Sequence, residues 1–72
     1  METHNRLINL GLNIKAERVR KRLSQEQLAE LIDTSRNSIS MIETARMHST
    51  VLKIVDIARS LNIDINDLLK GV

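Results

Sequence analysis

The stretch LSQEQLAELIDTSRNSISMIE, Leu23 to Glu43, holds two short helical patterns with almost nothing between them. Ser24 followed by Gln27 is a capping box, in which each residue's side chain accepts the other's orphan backbone N–H. The helix it opens is expected to run to about Ile32, with Leu28, Ala29 and Ile32 facing inward. Ser35 is the N-cap candidate for the next helix, which runs to about Thr44 with Ile39 and Ile42 inward. Only Asp33, Thr34 and Ser35 lie between the two. So short a connection forces the second helix to cross the first steeply, and the small Ala29 lets it come close.

Outward from this pair, apolar residues recur at helical spacing and no stretch shows the sustained alternation of a strand. A helix is expected from about Asn9 to Lys21, with Leu10, Ile14 and Arg18 on one face. Another is expected from Thr50 to Leu61, carrying Ile54, Ile57, Ala58 and Leu61 at spacings of three, one and three. A short last helix, Ile65 to Leu69, is capped by Asp64. Residues 1–8 lack clear periodicity and read as an arm or a frayed start, leaving 9–70 as the folded domain. The expected fold is all-α, a compact five-helix bundle. With 72 residues, its single core must be small and well patterned.

Composition narrows the function. The chain has no cysteine, which removes disulfides and thiolate metal sites. His4 and His48 stand far apart without a carboxylate pattern, so no metal is expected. Nor is any cofactor, small-molecule ligand or membrane span, since no apolar run is long enough. No secretory leader is evident, so a cytoplasmic protein is expected. Aromatic residues are absent, which argues against stacking platforms for single strands. No nucleophile–base or paired-carboxylate constellation stands out, so an enzyme is not expected. The net charge is +2, but residues 1–22 carry six Lys/Arg against Glu2 and Glu17, a balance of +4 that permits a polyanionic partner.

The outward face of the helix after Ser35 presents Arg36, Asn37, Ser38, Ser40, Met41 and Thr44. It holds few charges and many hydrogen-bonding groups. Such a face suits the major groove of duplex DNA, where Arg pairs with guanine and Asn with adenine in bidentate fashion.

Taken with Asp67-Leu68-Leu69 near the end, the Leu23–Glu43 stretch resembles the core of the lambda-repressor-like, Cro/C1-type (XRE-family) helix-turn-helix regulators. The resemblance extends from about Leu10 to Leu69. It implies that Gln25 binds a backbone phosphate and can brace a base-reading side chain. It also implies that Ser35, Arg36, Asn37 and Ser38 lie at the exposed, base-reading start of the recognition helix. Ser40 and Met41 follow one turn on, and Thr44 and Arg46 hold phosphates. Backbone amides at the starts of both helices would assist. Arg18 and Glu43 resemble a partly buried, architectural ion pair.

Relatives often have glycine where this chain has Arg22, Asp33, Ala45 and Asn62, and proline is common at Ser49. Asp and Asn accept left-handed backbone readily; Arg22 and Ala45 are expected to carry strain or to mark turns of different shape. His48 is expected at the surface. The resemblance points to a transcriptional regulator that binds double-stranded DNA sequence-specifically as a homodimer on an inverted repeat. Ile65, Leu68 and Leu69 are candidates for the pairing surface. The competing reading is a protein-interaction module, antitoxin-like or anti-regulator, that keeps the fold with little DNA binding.

Overall fold

The computed structural model describes residues 2–72 and contains five helices: α1 Glu2–Arg20, α2 Gln25–Leu31, α3 Arg36–Glu43, α4 Val51–Ser60 and α5 Ile65–Leu68. The caps foreseen at Ser24, Ser35 and Asp64 are all in place, and Thr50 caps α4 by accepting from the Lys53 N–H at 3.1 Å. Ile14, Leu28, Ile39, Ile57, Leu61 and Leu68 are buried with essentially no exposure, and Ala29, Ile42, Ile54 and Ala58 complete the core. Leu10 and Ile32 pack against it from its edge.

The first helix differs from expectation. It starts at Glu2, so the segment 1–8 is helical over its described part and not an arm; Met1 lies outside the described residues. The reason is visible on one face of α1. Arg6 Nε donates to the Val72 carbonyl, Asn9 Nδ2 to Gly71 O at 2.9 Å, and Asn13 Nδ2 to Leu68 O and Lys70 O at 2.9 and 2.8 Å. These side chains sit one helical turn apart and satisfy carbonyls that α5 and the segment after it leave open. The docking face is polar, so hydrophobic periodicity cannot reveal it.

Gly11 sets how closely α1 meets α3. A Cβ there would lie 2.5 Å from Glu43 O and 2.7 Å from Ile42 O, both backbone atoms that cannot swing aside. The end of α3 therefore rests directly on the backbone of α1.

The turns repeat one solution. Arg22, Asp33, Ala45 and Asn62 have φ of 59°, 55°, 58° and 56°. In each turn the next residue's N–H reaches back to close a Schellman motif: Leu23 N to Arg18 O, Thr34 N to Ala29 O, Arg46 N to Met41 O and Ile63 N to Ala58 O, at 2.8–3.2 Å. The turns at Arg22 and Ala45 thus keep the glycine-type geometry and carry the strain. The Ala45–Ser49 loop ends α3 with this motif and then tucks Met47 against the core. His48 is exposed, as expected.

Two stability measurements check these contacts. In an open helix Gly→Ala gains about 1 kcal/mol; Gly11→Ala should instead lose about 3 kcal/mol through overpacking, seen as a lower urea midpoint. A gain would mean that α1 and α3 are further apart. Ala45→Gly should stabilise by about 0.5–1 kcal/mol by relieving left-handed strain, and Asn62→Gly by less. A destabilised Ala45→Gly protein would show that the methyl's packing outweighs the strain.

Candidate nucleic-acid interface

The surface of α3 is held by what lies beneath it. Ile39 and Ile42 anchor its buried side, and Glu43, its last residue, is also buried. Arg18 of α1 meets Glu43 bidentately, with Nε 2.6 Å from Oε2 and Nη2 3.0 Å from Oε1. The two side chains are 10% and 1% exposed. The remaining guanidinium nitrogen, Nη1, donates to Leu23 O at 2.7 Å, within the turn that leads into α2. Among the described residues no buried side-chain nitrogen or oxygen lacks a partner, so the desolvated charges are compensated.

The outward face carries the residues foreseen from the sequence. Arg36 and Asn37 are exposed at the first turn of α3, Ser38, Ser40 and Met41 are half-buried, and Thr44 and Arg46 are exposed at its end. The guanidinium groups of Arg36 and Arg46 have no hydrogen-bond or ion-pair partner among the described residues, so both face solvent with their donors open. The others have local partners. Ser35 Oγ accepts from Ser38 N at 3.1 Å and donates to Ser38 Oγ at 3.0 Å, so both hydroxyls serve the cap. Asn37 Nδ2 lies 3.6 Å from Met41 Sδ, a weak contact that lays the amide along the helix. Thr44 Oγ1 donates to Ser40 O at 2.8 Å, leaving that hydroxyl only its lone pairs unless it rotates. Gln25, the first residue of α2, is half-buried and donates Nε2 to Glu43 Oε1 at 3.1 Å.

Three further residues support this face and escaped the sequence reading. Gly11, beneath the end of α3, lies inside the helix expected from Asn9 to Lys21, and nothing in that pattern says what packs on it. Lys53 of α4 donates Nζ to Thr34 Oγ1 at 3.2 Å and ties α4 to the turn between α2 and α3; nothing in the linear sequence signals that pairing. Lys15 borders a shallow groove shared with Ile8, Leu12, Glu43, Thr44 and Ala45, which puts a cation beside the end of α3. The basic cluster of residues 1–22 is partly consumed within the protein. Arg18 is buried, Arg6 holds the Val72 carbonyl, and Arg20 pairs with Glu17 at 3.2 Å.

Two helices joined by a short turn, the second seated on the core and polar on its outer face, define a class of protein, the helix-turn-helix DNA-binding transcriptional regulators. The family model described as helix-turn-helix matches residues 14–68, and the chain belongs to this family, in its Cro/C1 type. Several solved structures are similar. The restriction–modification controller protein C.AhdI from Aeromonas hydrophila superposes with a TM-score of 0.89 and 26% identity, over 94% of this chain and 99% of that one. A hypothetical transcription factor, NHTF from Neisseria, gives 0.83 and 30% over 96% and 78%. The P22 c2 repressor, solved in complex with a synthetic operator, gives 0.78 and 24% over 88% and 96%, a likeness of fold. No curated protein matches the sequence. No helix among the described residues is long and apolar enough to cross a membrane.

Truncating one partner of the buried pair tests the frame. Glu43→Ala should cost ~3–5 kcal/mol by stranding the Arg18 charge in a dry site. Guanidinium unfolding would reveal it; a loss under ~1 kcal/mol would mean that the pair behaves as a solvated surface bridge.

Proposed function

We propose that the protein reads a specific duplex sequence with α3 in the major groove and does so as a homodimer on an inverted repeat. The observation that carries the reading is the pairing of Arg36 and Asn37, exposed at the head of a helix whose other side is fixed on all flanks. Arg presents a planar fork of donors suited to guanine O6 and N7, and Asn matches the donor–acceptor edge of adenine. Ser38, Ser40 and Met41 line the next stretch, where Met41 offers an apolar contact to a thymine methyl. Arg46, and Lys15 beside the end of α3, are suited to backbone phosphates, which set register without reading sequence. Gln25 adds a phosphate contact at the start of α2, and Thr44 adds one at the end of α3 once its hydroxyl turns from Ser40 O.

Homodimerisation rests on the small footprint of one copy. A single domain of this size covers only a few base pairs, and two-fold symmetry doubles the site, with half-sites ~34–36 Å apart. The candidate pairing surface is narrower than the sequence suggested. Leu68 is fully buried in the core and Ile65 packs against it, so of the three only Leu69, 42% exposed, is mainly available to a partner. Val51 and Leu52, each 76% exposed at the start of α4, are additional apolar surface. Such a regulator acts in the compartment that holds the DNA, the cytoplasm in a bacterial cell.

Selection from a random duplex library at physiological salt is the direct test. The expected result is an inverted repeat with half-sites one helical turn apart. A library from which nothing enriches would overturn the reading in favour of a protein-interaction module. Within an enriched site, Arg36→Ala should relax preference at one base position in each half-site and cost about 1–3 kcal/mol there. A uniform loss across all sequences would assign Arg36 to a phosphate instead.

A further inference from the structure

The geometry points to a second role for Glu43: it positions the side-chain amide of Gln25 for a backbone phosphate. The inference rests on the DNA-binding reading and adds a residue to it that never touches DNA. One carboxylate oxygen, Glu43 Oε1, accepts from both Arg18 Nη2 at 3.0 Å and Gln25 Nε2 at 3.1 Å. An ionised carboxylate only accepts hydrogen bonds, so the face of the amide turned toward it has to be the nitrogen. That choice fixes the orientation of the whole amide. Its carbonyl oxygen is held away from Glu43, and the second N–H stays on a nitrogen whose place is already set.

A DNA phosphate is likewise acceptor-only, and it can be met only by that second N–H. An unheld glutamine would present its carbonyl as readily as its nitrogen, and would have to be ordered on binding. Glu43 removes both difficulties before DNA arrives. It can stand so near a phosphate because Arg18 neutralises it through two direct hydrogen bonds. Arg18, Glu43 and Gln25 therefore form a relay from the interior to the surface, with Arg18 and Glu43 as positioning residues. Gln25, at the N-terminal end of α2, is the one member half-open to solvent. The same carboxylate that seats the end of α3 thus also orients the start of α2, so the two phosphate-facing ends share one anchor.

The test is a double-mutant cycle of Gln25→Ala and Glu43→Gln, read by affinity for a mixed-sequence duplex at low ionic strength, where phosphate contacts dominate. Glu43→Gln keeps the shape but can donate as well as accept, so it no longer dictates how the Gln25 amide turns. Each single change should weaken binding by about tenfold, and the double by little more than either. Any general electrostatic effect of leaving Arg18 unneutralised cancels across the cycle. Additive losses would overturn the relay and leave Glu43 a purely structural residue. A wild-type protein that binds no duplex would remove the DNA reading and this inference together. A second measurement needs no variant: in the free protein one Gln25 side-chain amide proton should be shifted by its bond to Glu43, and the relaxation of its nitrogen should report restricted motion. Signals of a freely turning glutamine would overturn the proposal without reference to DNA.

Discussion

The carboxylate of Glu43 joins three helices, and the rest of the structure is arranged around keeping it compensated. It ends α3, receives two nitrogens of Arg18 from α1 and one from Gln25 at the start of α2. Removing such a charge from water is costly, and only close, complete hydrogen bonding repays it. That requirement acts as a constraint on geometry. A hydrophobic contact at this junction would tolerate sliding or rotation; a forked guanidinium against a buried carboxylate has one good arrangement. The end of α3, the turn at Leu23 and the start of α2 are fixed relative to one another as a result.

The backbone contact at Gly11 works alongside this pair. Because Glu43 O and Ile42 O lie where a side chain would otherwise stand, the end of α3 meets α1 with no room for a side chain at that point. Closeness at that point draws the Glu43 side chain within reach of Arg18, so a bulkier residue at 11 would lengthen the ion pair as well as open a gap. The four left-handed turns perform a related task between successive helices. Each stops a helix within a residue or two and turns the chain back toward the core, where ten apolar side chains are buried among the described residues. Arg22 and Ala45 do this without glycine's freedom, so the fold tolerates local strain to keep the angles.

The polar outer face depends on this rigidity. Base edges are discriminated by hydrogen bonds that weaken steeply with misalignment, so a reading helix has to be held from below. Ile39 and Ile42 hold α3 from the core, the Arg18–Glu43 pair holds its end, and Lys53 steadies the turn before it through Thr34. Short-range contacts such as Ser35 with Ser38 and Asn37 with Met41 also limit how freely the exposed side chains move in the absence of DNA.

What the sequence determined by itself was local or periodic. Helix-spaced apolar residues located α2 to α5, because burial of one face repeats every turn. Ser24, Ser35 and Asp64 marked helix starts because a cap is chemistry between near neighbours, and the resemblance to Cro/C1-type regulators located the four left-handed turns and the Arg18–Glu43 pair. The tertiary structure alone decided what rests on contacts distant in sequence. Arg6, Asn9 and Asn13 extend α1 to Glu2 by meeting carbonyls of residues 68–72. Leu68 went to the core rather than to a partner surface, and Gly11 became the seat for the end of α3. Gln25 found a carboxylate eighteen residues away. Polar groups that pair across the fold leave no period in the chain, since their partners are chosen only when the helices have already met.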